Sequence, residues 1–436
     1  MSYQSTQTRS FSPRLFNRCS LLFALSLLGA CAPSESESPA ARTAAEPAAP
    51  TSSAVVTAVV YEGARLITGD GSAPIENATF VVDGGRFFGV GASGNVVIPP
   101  DAPRVNLSGA TVMPALIDSH VHLSTERDAL IADLQRRATF GVSAAFSMGT
   151  DDGDTVYEIR RNPPPGVALY RLAGRGLVGP EPGRTEVPHW ISSEEEGRAA
   201  VREEAAKNVD IIKIWVDDRN GQYTKLTPEI YGAIIDEAHA NTLRVTAHIF
   251  TLEDAKGLIR AGVDAFAHGV RESDVDDEII EMLQARPWFV VVPNLPGRGV
   301  PTDLAWLQGR IADEQLQQLQ TGNVENASAQ EAYGIQARNL ARMHEAGVKL
   351  TVGTDGNSAW GMHIEMEDMV AAGVSPADVL VAATRNGAEY MNLRNRGVIA
   401  TGKIADFIVL DANPLDDITN TRRIRSVFLK GTELAR

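Results

Sequence analysis

The sequence predicts an α/β protein: a closed (β/α)8 barrel, with β-rich segments before and after it. Three observations carry that prediction. From Pro114 onward, short apolar runs alternate with amphipathic stretches, and strand–helix alternation implies parallel βαβ units. Eight such units follow one another, most with runs apolar on both faces, which favours a barrel over an open sheet. The flanking segments are short β-type runs broken by Gly and Asp, as in a small antiparallel sheet.

The chain starts with a targeting segment. Met1 to Arg18 carries Arg9, Arg14 and Arg18 and no acid, and "LLFALSLLGA" from Leu21 to Ala30 is an apolar core ending in small residues. Residues 1–30 read as a secretory signal, too short to span a bilayer. Cys31 follows Leu28-Gly29-Ala30, which resembles the lipobox of bacterial lipoproteins. Lipidation of Cys31 would anchor the protein in the bacterial cell envelope, on the periplasmic side or at the outer membrane; the alternative is cleavage after Ala30 with a free thiol. Residues 31–56, rich in Ala, Pro, Ser and Glu, read as a flexible tether. Residues 57–112 form the first β-rich part, 113–396 the barrel and 397–436 the second β-rich part, where "KIADFIVLDAN" and "IRSVFLKGTEL" lie. A sheet begun before the barrel and completed after it would bring the two ends together.

Within the barrel the predicted strands are 113–118, 143–147, 168–173, 210–216, 244–249, 264–268, 288–293 and 349–353. Predicted helices include 194–207, 228–241, 252–261 and 329–346, each amphipathic.

Composition narrows the function. Of 436 residues, 44% are hydrophobic and 22% charged, the balance of a globular chain. A formal charge of −15 argues against nucleic-acid binding, which needs a basic footprint. Residues 1–30 hold three arginines and no acids, so their removal gives −15 − 3 = −18. The only cysteines are Cys19 and Cys31, so a metal site must use His, carboxylate or Lys chemistry. A small-molecule substrate and a homo-oligomeric state are expected.

Barrel active sites lie at the C-terminal ends of the strands. There the sequence places Asp118, His120 and His122 (strand 1), Lys213 (strand 4), His248 (strand 5), His268 (strand 6) and Asp355 (after strand 8). Four of the eight histidines fall at these ends. Positions i and i+2 of a strand share a side, so His120 and His122 can face one ion. A lysine inside the apolar run "DIIKIWV" is costly unless paired or chemically altered. His and carboxylate donors without sulfur suit zinc or a similar divalent ion. Two ions sharing one hydroxide would activate it and clamp the oxyanion, with Asp355 also moving the proton.

The ordered set His120-x-His122, Lys213, His248, His268 and Asp355 resembles the amidohydrolase superfamily over about residues 57–436. The tail "GTDGNSAWGMHIEMEDMVAAGVSPADVLVAATRNGAEYM" is similar to its imidazolonepropionase-like and Xaa-Pro dipeptidase-like branch. The resemblance implies a distorted barrel with a flanking β-sandwich from both chain ends. It implies that Lys213 is carbamylated by CO2 and bridges two divalent metals, with His120, His122 and Asp355 on one ion and His248 and His268 on the other. It implies hydroxide attack on an amide or peptide bond, in a dipeptide or an N-acyl amino acid. The same site would also serve a lactone, carbamate or phosphotriester hydrolase, and a ligand-binding lipoprotein without turnover is a further reading. The loop "KIWVDDRNGQYTKL" is a departure, made acidic by Asp217 and Asp218.

Substrate contacts are sought in Arg175 and Arg271, either able to hold a carboxylate bidentately, and in Trp215, Asn294, Trp360 and His363. His189, His239 and His344 are read as structural.

Overall fold

A computed structural model describes residues 57–435. The signal segment, Cys31 and the tether lie outside the described residues. No described helix is long and apolar enough to cross a membrane.

The first strands are β1 (Val59–Leu66), β2 (Ile75–Asp83), β3 (Arg86–Ala92), β4 (Arg104–Asn106) and β5 (Thr111–Pro114). They join β16 (Phe407–Leu410), β17 (Ile424–Leu429) and β18 (Thr432–Glu433) from the other end of the chain. The sheet order is β18-β17-β16-β5-β1-β2-β3, with β4 beside β1. The seam is the antiparallel pair β5–β16, where Met113 faces Ile408. One face buries Tyr61, Phe80, Phe87, Phe407 and Phe428. Tyr61 stacks on Phe80 at 4.8 Å and Phe407 on Phe428 at 4.3 Å, so aromatic packing from both ends holds the seam.

Two parallel sheets follow. One contains β6 (Leu116–Val121), β7 (Val142–Ser147) and β8 (Leu169–Leu172). The other has the order β10-β9-β11-β12-β13-β14-β15, with β9 (Leu177–Val178), β10 (His189–Trp190), β11 (Ile212–Val216), β12 (Val245–Ile249), β13 (Ala265–Phe266), β14 (Val290–Val291) and β15 (Lys349–Leu350). Backbone hydrogen bonds link the sheets at both edges. The Ser119 N–H donates to Val352 O at 2.9 Å, and Thr354 and Asp355 both donate to His120 O. On the other side Asp210 N–H donates to Leu172 O at 2.9 Å. The shared interior is close-packed with Ile, Val, Leu and Ala, as the runs apolar on both faces require.

The helices begin where their caps stand. Ser193, Thr227, Thr251 and Asn326 each accept a backbone N–H three residues on, and Pro228 occupies a first helical position that needs no donor. The resulting spans, Glu194–Ala206, Pro228–Ala240, Leu252–Ala261 and Ala327–Glu345, lie within about two residues of those predicted.

Three predicted strands are shorter than expected, 264–268, 288–293 and 349–353 pairing only over Ala265–Phe266, Val290–Val291 and Lys349–Leu350, and one is divided. The run 113–118 is not a single strand: Thr111–Pro114 pairs in the mixed sheet, antiparallel to β16 and parallel to β1, and the parallel strand starts at Leu116 and runs through His120 to Val121. The change occurs at Ala115, whose N–H donates to Asp406 O, after Pro114, which has no N–H to give.

Candidate metal centre

The predicted histidine and aspartate ligands stand at or just beyond the C-terminal ends of parallel strands, and Lys213 is the second residue of β11. His120 is the fifth residue of β6 and fully buried, and His122 follows the strand. His120 Nε2 and His122 Nε2 lie 3.3 Å apart, as the shared side of a strand predicts. Both approach Asp355 Oδ1, at 3.1 Å each, while His268 Nε2 lies 3.6 Å from Asp355 Oδ2. His120, His268 and Asp355 offer donor atoms within 4.8 Å of one another, a spacing that one ion can bridge. The His248 ring meets the His268 ring at 4.6 Å.

Surrounding groups fix the imidazoles. His120 Nδ1 lies 2.9 Å from Asn294 Oδ1 and 3.2 Å from Ala267 O, both acceptors. Nδ1 therefore carries the proton and Nε2 presents its lone pair to the centre. His122 Nδ1 is 3.1 Å from Thr150 Oγ1. Burial pushes the pKa of His120 down to about 4 and that of His248 down to about 3, so both rings are neutral at pH 7, the state metal ligation needs. Burial pushes the Asp355 carboxyl up, but in acid, once His120 and His268 gain protons, their attraction outweighs it and holds the group well below the carboxylate range.

Asp355 has φ 50°, in the left-handed region. A buried ion pair maintains that strain. Arg137 Nη1 meets Asp118 Oδ2 at 3.2 Å, and the same guanidinium donates to Gly356 O at 2.8 Å and Ser358 O at 3.2 Å. Asp118 also accepts Thr354 N–H at 3.1 Å and Thr354 Oγ1–H at 2.9 Å. The two charges thus brace both sides of the Asp355 turn. Arg137 was not singled out from sequence. The available signal was an arginine on the buried stripe Leu130, Leu134 and Ala138 of its helix.

Lys213 lies inside β11, fully buried, and Nζ has no hydrogen-bond partner. Burial lowers its pKa to about 7, against the opposing pull of Asp355 and with repulsion from Arg271 and Arg219. The Trp215 ring covers Nζ at 5.1 Å. Gly149 and Gly176 make room for that indole; a Cβ at either would run into it. An unpartnered buried amine beside imidazoles and a carboxylate fits a site completed by a divalent cation and an added anionic group.

A cavity of about 280 Å³ adjoins His122 and is lined by Thr150, Val178, Glu181, Thr185 and Trp215. Of the predicted substrate contacts, Arg271 keeps a buried Nε without a hydrogen-bond partner, and its charge acts on His268, His248 and Lys213. Arg175 is committed elsewhere, its Nε donating to Val187 O at 2.6 Å. Trp360 packs with Phe140 and Leu307 beside a different cavity. His363 is buried, with Nδ1 at Thr421 Oγ1 (3.0 Å) and Nε2 at Phe140 O (3.0 Å), so both ring nitrogens are engaged away from the predicted ligands. A histidine early in a helix gives no sign in sequence of which neighbour its face meets. His189, His239 and His344 pair with Glu204, Asp264 and Asp378.

The profile of the amidohydrolase family matches residues 111–434. The chain is 26% identical to ochratoxinase of Aspergillus niger, over 83% of this chain and 82% of that one. It is 25% identical to enamidase of Eubacterium barkeri, over 81% and 86%. Among solved structures, a provisional prolidase from Bifidobacterium longum superposes with a TM-score of 0.73 at 29% identity, covering 87% of this chain and 95% of that one.

Proposed function

Because the chain belongs to the amidohydrolase family, we propose that it is a binuclear metal-dependent hydrolase that cleaves an amide bond next to a free carboxylate. The carrying observation is the convergence of His120, His122 and His268 on both oxygens of Asp355, near an unpartnered buried lysine. In this reading the two parallel sheets are the wall of one (β/α)8 barrel, and the mixed sheet of strands from both chain ends forms the flanking β-sandwich. The edge hydrogen bonds from Ser119, Thr354 and Asp210 support the closure. The relatives named ochratoxinase and enamidase, with the prolidase structure, support an amide or peptide bond.

His120, His122 and Asp355 would hold one divalent ion, His248 and His268 the other, with zinc suited to both sets. Bound ions supply Lewis acidity at the substrate carbonyl and lower the pKa of the attacking water. Lys213 reacts as the neutral amine with CO2, loses one proton and becomes an anionic carbamate between the two sets. At pH 7 an ordinary lysine is neutral in only about 1 molecule in 3,000, whereas a pKa of about 7 leaves half of it reactive. Asp355, with its side chain 34% exposed, takes the proton of the attacking water on a carboxylate oxygen and returns it to the leaving nitrogen.

Arg271 sets the substrate class. Its unpartnered guanidinium receives the carboxylate of a dipeptide or N-acyl amino acid. Arg271→Met should cut kcat/KM for an N-acyl amino acid by on the order of 10–100-fold, the equivalent of about 1.5–3 kcal/mol for a charge-assisted hydrogen bond. The corresponding carboxamide should lose much less, only what the missing charge beside His248, His268 and Lys213 costs. Equal losses on both substrates would show that Arg271 does not read the carboxylate.

The envelope location is part of the same proposal, supported by Leu28-Gly29-Ala30-Cys31. Cells fed a labelled fatty acid should incorporate it into the wild type and not into Cys31→Ala; label in both would remove the lipid anchor. Light scattering tests the homo-oligomeric state.

A further inference from the structure

We infer that Asp217 is a positioning residue that fixes His248 as the Nε2–H tautomer, so that Nδ1 is the nitrogen His248 offers to an ion. The inference rests on the metal-centre reading above and concerns the loop where this sequence departs from its family.

His248 Nε2 lies 3.0 Å from Asp217 Oδ2. The same oxygen accepts Arg219 Nη1 at 2.5 Å. Arg219 Nη1 also lies 3.1 Å from His248 Nε2, so the arginine would suit a bare Nε2 and the carboxylate a protonated one; Arg219 already has Asp217 Oδ2 as its closer acceptor. An ionised carboxylate oxygen carries only lone pairs. A bare Nε2 would set lone pair against lone pair, so Nε2 holds the hydrogen. A neutral imidazole then has one bare nitrogen, and His248 Nδ1 makes no hydrogen bond to any described residue.

The carboxylate cannot turn away. Asp217 Oδ1 accepts the Arg219 N–H at 2.8 Å, and Arg219 sits at φ 54°. Arg219 Nε donates to Glu181 Oε1 at 2.9 Å, and Glu181, 1% exposed, takes Arg184 on its other oxygen at 2.6 Å. A line of alternating charge thus runs from Arg184 through Glu181, Arg219 and Asp217 to His248. It lets "DDR" sit beside a cation site without acting as a ligand. His120 is set the opposite way: Asn294 and Ala267 take its Nδ1–H and leave Nε2 bare. Carboxylates behind metal-bound histidines fix ring orientation and raise basicity, and losing them weakens metal binding about 10–100-fold.

Two measurements test this. With histidine nitrogens labelled in metal-free protein, nitrogen NMR should show His248 protonated at Nε2 in the wild type, its signal assigned by its loss in His248→Asn. In Asp217→Ala both tautomers should appear. Calorimetric zinc titration should show one of two ions binding about 10–100-fold more weakly in Asp217→Ala, the other unchanged, with partial recovery in Asp217→Glu. A wild-type His248 protonated at Nδ1, or two ions at wild-type affinity in Asp217→Ala, overturns the inference. If the wild type binds fewer than two ions, the binuclear reading fails instead, and the tautomer alone decides the role of Asp217. The unchanged ion also reports that the variant is folded.

Discussion

Lys213→Ala should abolish amide hydrolysis and leave fewer than two metal ions per chain by elemental analysis. The expected loss is large because one side chain would supply both an anionic ligand and the spacing between two ligand sets. Full activity with two ions in the variant would sink the binuclear proposal. Metal-free protein gives an independent measure. The folded lysine has a pKa of about 7, while the unfolded chain keeps its proton to the ordinary value of 10.5. Between those values the unfolded state binds more protons, so stability rises as pH rises from about 7 towards 10.5. Below pH 7 both states are protonated and folding bears the full cost of burying the charge. Urea melts across this window should show the gain in the wild type and its absence in Lys213→Met.

Arg137→Met should destabilise the metal-free protein by about 3–5 kcal/mol, the usual cost of leaving one partner of a buried ion pair alone. Asp118 would then be buried without its cation, and Gly356 O and Ser358 O would lose their donor. Burial already pushes the Asp118 pKa up to about 6 against the pull of Arg137, so without Arg137 it should be protonated near neutral pH. Adding Asp118→Asn to Arg137→Met should therefore cost less than the sum of the single changes, a coupling that a double-mutant cycle measures. Additive losses would mean that the two side chains act independently. Activity should fall in the single variant as well, because the pair holds the turn at Asp355.

Much of the molecule was legible in the sequence. The βα rhythm is strong where helices carry caps, and the capped helix spans came out close to the observed ones, while the last three parallel strands pair over only two residues each. The residues that gather around Asp355 were legible because histidines and a lysine interrupt apolar runs, where their cost demands a reason. The seam at Ala115 was hidden: the apolar run from Val112 to Ile117 looks continuous, and only pairing with residues near the other end of the chain divides it. The substrate contacts were harder for a related reason. Arg175 and Arg271 look equivalent as arginines near strand ends, and tertiary contact alone shows Arg175 spent on a carbonyl. Asp217 stood out only as an acidic oddity, since its meaning depends on a histidine in the next strand.

The seam between β5 and β16 also bears on synthesis. Met113 leaves the ribosome long before Ile408, and until then Tyr61, Phe80 and Phe87 lack Phe407 and Phe428 to cover them. The first β-rich segment must therefore wait, with an aromatic face open, while every parallel strand is made. Such long-range pairing is slow and prone to aggregation. A nascent chain stalled before Phe407 should bind holding chaperones, and release should coincide with the last strands.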